Sequence, residues 1–321
     1  MPSTVAVVGE CMLELSQLNA AGTAENGQSA MQFSFGGDTL NTALYLARLF
    51  STVHATANAN VQYVTALGDD SMSDWMLSQW MAEGVGCDLV ERYPDSVPGL
   101  YLIQTDETGE RSFLYWRDSA PAKRLFDDAT KAKELFARLA QHDWIYLSGI
   151  TLSLYSEAAL ERLLDFLARY RAAGGRIAFD GNYRPRLWPS ASSAQDACEA
   201  LYRLTAVALP SLDDELLLFG DADSDAVVDR LRSLGVEEIV LKMGEQGCRV
   251  VSGSEEEKIE SHTVGVVDTT AAGDSFNAGY LAAKMAGCTL VRSAEEGRNL
   301  ASAVIACHGA IIPKENMPSV S

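Results

Sequence analysis

Positive charge is scarce in this chain. Only 25 Lys and Arg stand against 44 Asp and Glu, for a formal charge of −19. A surface of that sign repels phosphate backbones and anionic headgroups, which argues against nucleic acid and membrane surfaces as partners. A small anion remains bindable, because a few arginines can override the mean field locally. Histidine is rarer still, with four residues and no metal-like spacing. The six cysteines (Cys11, Cys87, Cys198, Cys248, Cys288 and Cys307) include no C-x-x-C pair, which fits reduced thiols and a cytoplasmic location. No apolar run reaches the roughly 20 residues of a membrane span, and no leader-like pattern precedes Val5–Val8. No Gly-x-Gly-x-x-Gly follows that first strand, which excludes a dinucleotide-dependent dehydrogenase.

What the chain has is apolar material and alternation. At 321 residues and 47% hydrophobic it can bury a sizeable core. Val5–Val8 reads as a buried parallel strand, and Val61–Leu67 as another. A helix is expected from Ser71 to Glu83, with Asp74 as capping-box partner of Ser71 and Gly84 as its stop. From residue 127 strands and helices alternate, with strands at Trp144–Leu147, Arg176–Asp180, Ala206–Leu209 and Glu238–Met243. Repeated units of this kind build a parallel sheet with helices on both faces, and ligands bind at the carboxyl ends of its strands. Glu255-Glu256-Glu257 reads as a solvated turn.

Two stretches interrupt the series. Residues 19–30 read as a loop leading into a strand at 31–35, and residues 99–117 read as a β-hairpin with its turn at 106–110. Arg111, Phe113, Tyr115 and Arg117 share one face of the second hairpin strand by the period of two, either as a solvated face or as a binding face. The expected division is an α/β domain of residues 1–14, 36–96 and 121–321 with a small β lid of 15–35 and 97–120.

Gly36-Gly37 precedes a helix whose apolar stripe is Leu40, Ala43, Leu44 and Ala47, and Asn41 lies off that stripe. The pair is either a plain turn or a place where a substrate approaches the backbone. Asp268-Thr269-Thr270-Ala271-Ala272-Gly273-Asp274 opens another helical run, beginning at Phe276. Small residues there expose the first free N–H groups of a helix, which favour an anion. Asp274 in that first turn has two readings. It caps the helix, or it takes a proton from a hydroxyl that attacks a phosphate.

The two signatures, Gly36-Gly37-Asp38-Thr39-Leu40-Asn41 and Asp268–Phe276, resemble those of the ribokinase-like (PfkB) family of carbohydrate kinases, and the resemblance spans essentially the whole chain. It implies a three-layer αβα sandwich with a mostly parallel central sheet and a β lid. It implies ATP and Mg²⁺ as cofactors, and a homodimer formed through the lid. Gly9-Glu10-Cys11-Met12-Leu13-Glu14-Leu15, Gly99-Leu100-Tyr101, Gly109-Glu110-Arg111, Tyr115-Trp116-Arg117, Asn182-Tyr183-Arg184-Pro185-Arg186-Leu187-Trp188 and Gly309-Ala310-Ile311-Ile312-Pro313 are similar to the branch acting on 2-keto-3-deoxygluconate.

Carried over, the resemblance makes Asp274 the base for a terminal C6 hydroxyl, with the Ala271, Ala272 and Gly273 amides stabilising the transferring group. Gly36, Gly37, Asn41, Tyr101, Tyr115, Arg117 and Arg184 become substrate contacts, the two arginines suiting a carboxylate. Asn182, Lys242, Gly244 and Gly247 fall on the nucleotide side. Two departures stand out. Ala271 replaces a frequent Gly, and the family's Asn-x-x-Glu is Ser211-Leu212-Asp213-Asp214 here, which leaves Asp214 as the magnesium-associated residue. Fructose, ribose and the galactonate epimer are the alternative acceptors, and a non-catalytic sensor is the alternative class.

Overall fold

Val5 and Val7 point into one hydrophobic core while Ala6 and Val8 point into another, and all four are fully buried. That alternation is the period of a strand covered on both faces. The computed structural model describes residues 3–17, 31–53, 60–105 and 111–318. The loop expected at 19–30 and the hairpin turn at 106–110 lie outside the described residues.

In chain order the strands and helices are β1 (Thr4–Val8), β2 (Met12–Gln17), β3 (Met31–Gly36), α1 (Asp38–Val53), β4 (Asn60–Gly68), α2 (Ser71–Ala82), β5 (Val90–Tyr93), β6 (Leu100–Thr105) and β7 (Arg111–Trp116). There follow α3 (Ala129–Leu139), β8 (Trp144–Ser148), α4 (Gly149–Leu152), α5 (Glu157–Ala172), β9 (Arg176–Asp180), α6 (Ala191–Tyr202), β10 (Val207–Ala208), α7 (Leu212–Phe219) and α8 (Ser224–Ser233). The chain continues through β11 (Glu238–Lys242), β12 (Cys248–Ser252), β13 (Glu255–Ile259), α9 (Ala272–Met285) and α10 (Leu290–Ile305).

The large sheet runs β13-β12-β11-β10-β9-β8-β1-β4-β5. Its pairings are parallel from β11 to β5, and β12 and β13 add an antiparallel edge. One core packs α3, α5, α6 and α8 on one face; the other packs α1, α2, α9 and α10 on the opposite face. These are the three layers expected of the fold.

A second sheet, β3-β2-β6-β7, is separate. In it β2 pairs parallel with β6, and β3 and β7 flank them antiparallel. Tyr101 stands directly opposite Tyr115. Leu114 and Trp116 point to the other face and are 45% and 56% exposed.

Three local expectations are corrected. The N-cap of α2 is Asp70, whose carboxylate accepts from the Met72 and Ser73 amides, so Ser71 lies inside the helix and Asp74 pairs with Arg92 instead. Glu255–Glu257 belong to strand β13, because an edge strand exposed to water carries charge without penalty. The strand expected at Ala206–Leu209 is regular only at Val207–Ala208, although the flanking Ala206 and Leu209 amides still donate to the Ile177 and Phe179 carbonyls. Among the described residues, no helix is long and apolar enough to cross a membrane.

Candidate active site

The carboxyl ends of β8, β9 and β11 finish at Ser148, Asp180 and Lys242, and Tyr101, Phe113 and Tyr115 of the second sheet face this end. Between them lies a cleft of about 1070 Å³. It is lined by Gly36, Gly37, Asp38, Asn41, Tyr101, Tyr115, Asn182, Arg184, Asp214, Lys242, Gly244, Gly247 and the whole run Thr269–Asp274. Residues from opposite ends of the chain thus meet here. A second groove, of about 1010 Å³, lies between α3 and α5 at the other end of the strands and holds none of the signature residues.

The N-terminus of α9 forms the floor. Ser275 donates the first helical bond, to the Ala271 carbonyl at 2.9 Å. The Gly273 and Asp274 amides precede it, in the turn whose N–H groups have no acceptor inside a helix. Ala271 makes the turn possible with φ 61° and ψ 16°, in the left-handed region. An L-residue is strained there by roughly 1–2 kcal/mol. Ala271→Gly is therefore expected to raise stability by about 0.5–1 kcal/mol after the entropy of glycine is counted. A lower urea midpoint in the variant would contradict this.

Asp274 accepts a 2.8 Å hydrogen bond from Asn41 Nδ2. Removal from water pushes its carboxyl up to about 8; Asp38 and Asp180 push the same way, while the Asn41 bond and the Lys242 charge oppose them. Burial also raises the Asp38 carboxyl, against hydrogen bonds from Ser148, the Thr39 amide and Asn182. Asn41 is buried, and its Oδ1 has no partner among the described residues. The residue lines the cleft, and this buried acceptor is left without a donor.

The two glycines expected at the site are required by sterics. A Cβ on Gly36 would stand 2.2 Å from the Tyr101 hydroxyl, and one on Gly37 would stand 2.4 Å from the Glu10 carbonyl oxygen. Tyr101 donates to Glu14, and Arg186 lies 5.1 Å over the Tyr115 ring.

The other expected residues are each held by a partner of their own. Arg117 is not among the residues lining the cleft; its guanidinium donates to the buried Glu10 carboxylate. Arg184 does line it, 46% exposed, and pairs with Asp214 at 3.2 Å. Asn182 donates to Asp38 at 2.7 Å, toward Asp274. Lys242 donates to Asp180 at 3.1 Å and to Asn277 at 3.0 Å.

Sequence reasoning gave no role at the site to Glu10, Asp38, Tyr146 or Asn277, and gave Asp180 only that of a strand end on the crevice. Glu10 had one legible signal, a charge one glycine past the apolar run Val5–Val8. Asn277 had another, a lone amide inside the apolar run of α9.

A helix start thus stands beside a carboxylate at the carboxyl ends of a doubly covered parallel sheet, on a ribokinase-like fold. The chain belongs to the pfkB family of carbohydrate kinases, whose family model matches residues 2–317. It is 45% identical over 319 residues to a 2-dehydro-3-deoxygluconokinase of Dickeya dadantii, covering 98% of each chain. Among solved structures it resembles a 2-dehydro-3-deoxygluconokinase of Thermotoga maritima, with a TM-score of 0.79 at 19% identity over 97% of this chain and 95% of that one. It also resembles a fructokinase of Xylella fastidiosa solved with bound ATP, with a TM-score of 0.81 at 21% identity over 99% and 96%.

Proposed function

We propose that this chain phosphorylates 2-keto-3-deoxygluconate (2-dehydro-3-deoxygluconate) at its C6 hydroxyl, using ATP and Mg²⁺, to give 2-keto-3-deoxy-6-phosphogluconate. The observation that carries the reading is the pairing of Asp274 with the α9 N-terminus in a cleft that also holds Arg184 and two tyrosines. The near-full-length similarity to a 2-dehydro-3-deoxygluconokinase supports the choice of acceptor.

Asn41 orients the Asp274 carboxylate and, from the cleft wall, is the contact offered to a sugar hydroxyl. Asp274 takes the C6 proton as that oxygen attacks. The Ala271–Asp274 turn presents amide N–H groups to the transferring charge, which is stabilisation that needs no rearrangement. ATP supplies the phosphoryl group, and Mg²⁺ offsets the charge of its phosphates. No group of three His, Cys, Asp or Glu side chains among the described residues is placed to hold a metal. That suits Mg²⁺, which keeps several waters and takes one or two carboxylates plus phosphates. Asp214, held by Arg184, is the candidate carboxylate. Lys242, Gly244, Gly247 and Asn182 line the part assigned to the nucleotide.

Arg184, on the cleft wall, reads the substrate carboxylate, and we assign Arg117, held by Glu10 behind that wall, to the same recognition through its remaining N–H groups. Tyr101 and Tyr115 bond the keto and hydroxyl groups. The second sheet acts as a lid that excludes water and so suppresses ATP hydrolysis. Its outer face, with Leu114 and Trp116 exposed, supports a homodimer through the lids. Light scattering should report twice the chain mass for the parent and a monomer for Trp116→Glu. Six free cysteines support a cytoplasmic location.

The test of the acceptor is an ADP-release assay with Mg²⁺-ATP across 2-keto-3-deoxygluconate, its galactonate epimer, fructose and ribose. Turnover is expected on the keto-acids. A preference for fructose or ribose would remove the arginines from the recognition of substrate.

A further inference from the structure

Resting on this phosphoryl-transfer reading, we propose that Asn277 is a positioning residue which, with Asp180 and Tyr146, holds the Lys242 ammonium at the start of α9 beside Gly273 and Asp274. Asn277 is fully buried in an otherwise largely apolar stretch of α9. An amide in such a place is costly unless hydrogen-bonded. Here it is bonded on both sides. Its Nδ2 donates to Asp180 Oδ2 at 2.7 Å and to the Tyr146 hydroxyl at 3.0 Å, and its Oδ1 accepts from Lys242 Nζ at 3.0 Å. Asp180 Oδ2 also accepts from Lys242 Nζ at 3.1 Å.

Lys242 therefore gives two of its three N–H groups to a rigid pair of acceptors. Its Nζ would stand 3.4 Å from a Cβ built on Gly273. A lysine stem is flexible, and one ion pair alone would leave the charge free to swing about Asp180. The Asn277 carbonyl supplies the second point that fixes it. The same net reaches the Asp274 backbone: Thr42 Oγ1 donates to the Asp274 main-chain carbonyl at 3.2 Å and lies 3.4 Å from the Tyr146 hydroxyl.

Among the described residues, the charged and titratable groups acting on Asp274 include Asp38 and Tyr45 from α1, Tyr146 from β8, Asp180 from β9 and Lys242 from β11. Lys242 is the one cation among them. If Asn277 is removed, the ammonium loosens and the two neighbouring carboxylates are opposed by less positive charge. Asp274 then loses its proton at higher pH.

The experiment compares Asn277→Ala, Lys242→Met and the double variant by single-turnover rates and by the pH profile of kcat/KM. Asn277→Ala should lower kcat about 10–100-fold with both KM values within about threefold, the scale of a mispositioned charge. Its ascending pH limb should move upward, and the double variant should be no slower than Lys242→Met by more than about twofold. Multiplying losses in the double variant, or an unmoved pH limb, would overturn the proposal. Tyr146→Phe removes only a hydroxyl, so it gives the same comparison with a smaller loss should Asn277→Ala not fold. Any acceptor sugar that the parent phosphorylates serves, so a wrong substrate leaves this comparison intact.

Discussion

Asp274→Asn is expected to lose about 10²–10⁴-fold in kcat, the range for removing a general base, while both ligands still bind. The variant keeps the shape of the turn, and its side-chain oxygen can still accept from Asn41. What it loses is the capacity to take the C6 proton. In the parent, kcat/KM should rise with pH and level off above about 8, because the base acts only when ionised. The same shift carries a stability consequence of opposite sense. A carboxyl whose folded pKa lies above the unfolded value, about 3.9, binds its proton more tightly in the native state, so stability falls as pH rises between those values. Asp274→Asn removes that loss. Its melting temperature should exceed the parent's by an amount that grows from about pH 4 to about pH 8, on the order of 2–4 °C for each kcal/mol. Turnover within threefold of the parent would remove Asp274 from the chemistry.

Arg117→Ala has the second large effect, and it acts on two properties at once. Glu10 is buried, and burial already pushes its carboxyl above the ordinary range against the pull of Arg117. One of its oxygens, Oε1, has no partner among the described residues. Without Arg117 the carboxylate is left buried and unpaired, at a cost of roughly 3–5 kcal/mol. Because the ionised form is the costly one, the deficit should shrink as pH falls toward the unfolded carboxyl value and grow as pH rises. Pairing it with Glu10→Gln should recover much of the stability by removing the charge. The KM for the sugar acid should nevertheless stay raised in that double variant while the KM for ATP does not. Equal changes in the two KM values there would leave Arg117 a purely structural residue.

These predictions separate what a linear sequence displays from what it conceals. The Asp274 turn was legible because its parts are contiguous: small residues, then a carboxylate, then an apolar helix. The double burial of β1 was legible for the same reason, since four apolar residues in a row leave no polar face. The network behind Asp274 was not. Asn277 lies 97 residues from Asp180 and 131 from Tyr146, and no local pattern announces such partners. Glu10 and Arg117 are 107 residues apart, so Arg117 read as a free cation on a strand face when a buried carboxylate holds it. The β13 edge was misread because three exposed glutamates look alike in a turn and on a solvated strand. At α2 the competing signals were adjacent, and Asp70 took the cap from Ser71 because its carboxylate reaches two amides.

The central claim is that this chain moves the γ-phosphoryl group of ATP onto the C6 hydroxyl of a sugar acid. Phosphorus–proton correlation NMR of a reaction containing Mg²⁺-ATP and 2-keto-3-deoxygluconate tests it most directly. The expected spectrum holds one new phosphomonoester, coupled to the C6 methylene protons and equal in amount to the ADP formed. Free phosphate in place of an ester, or an ester on another carbon, would contradict the assignment.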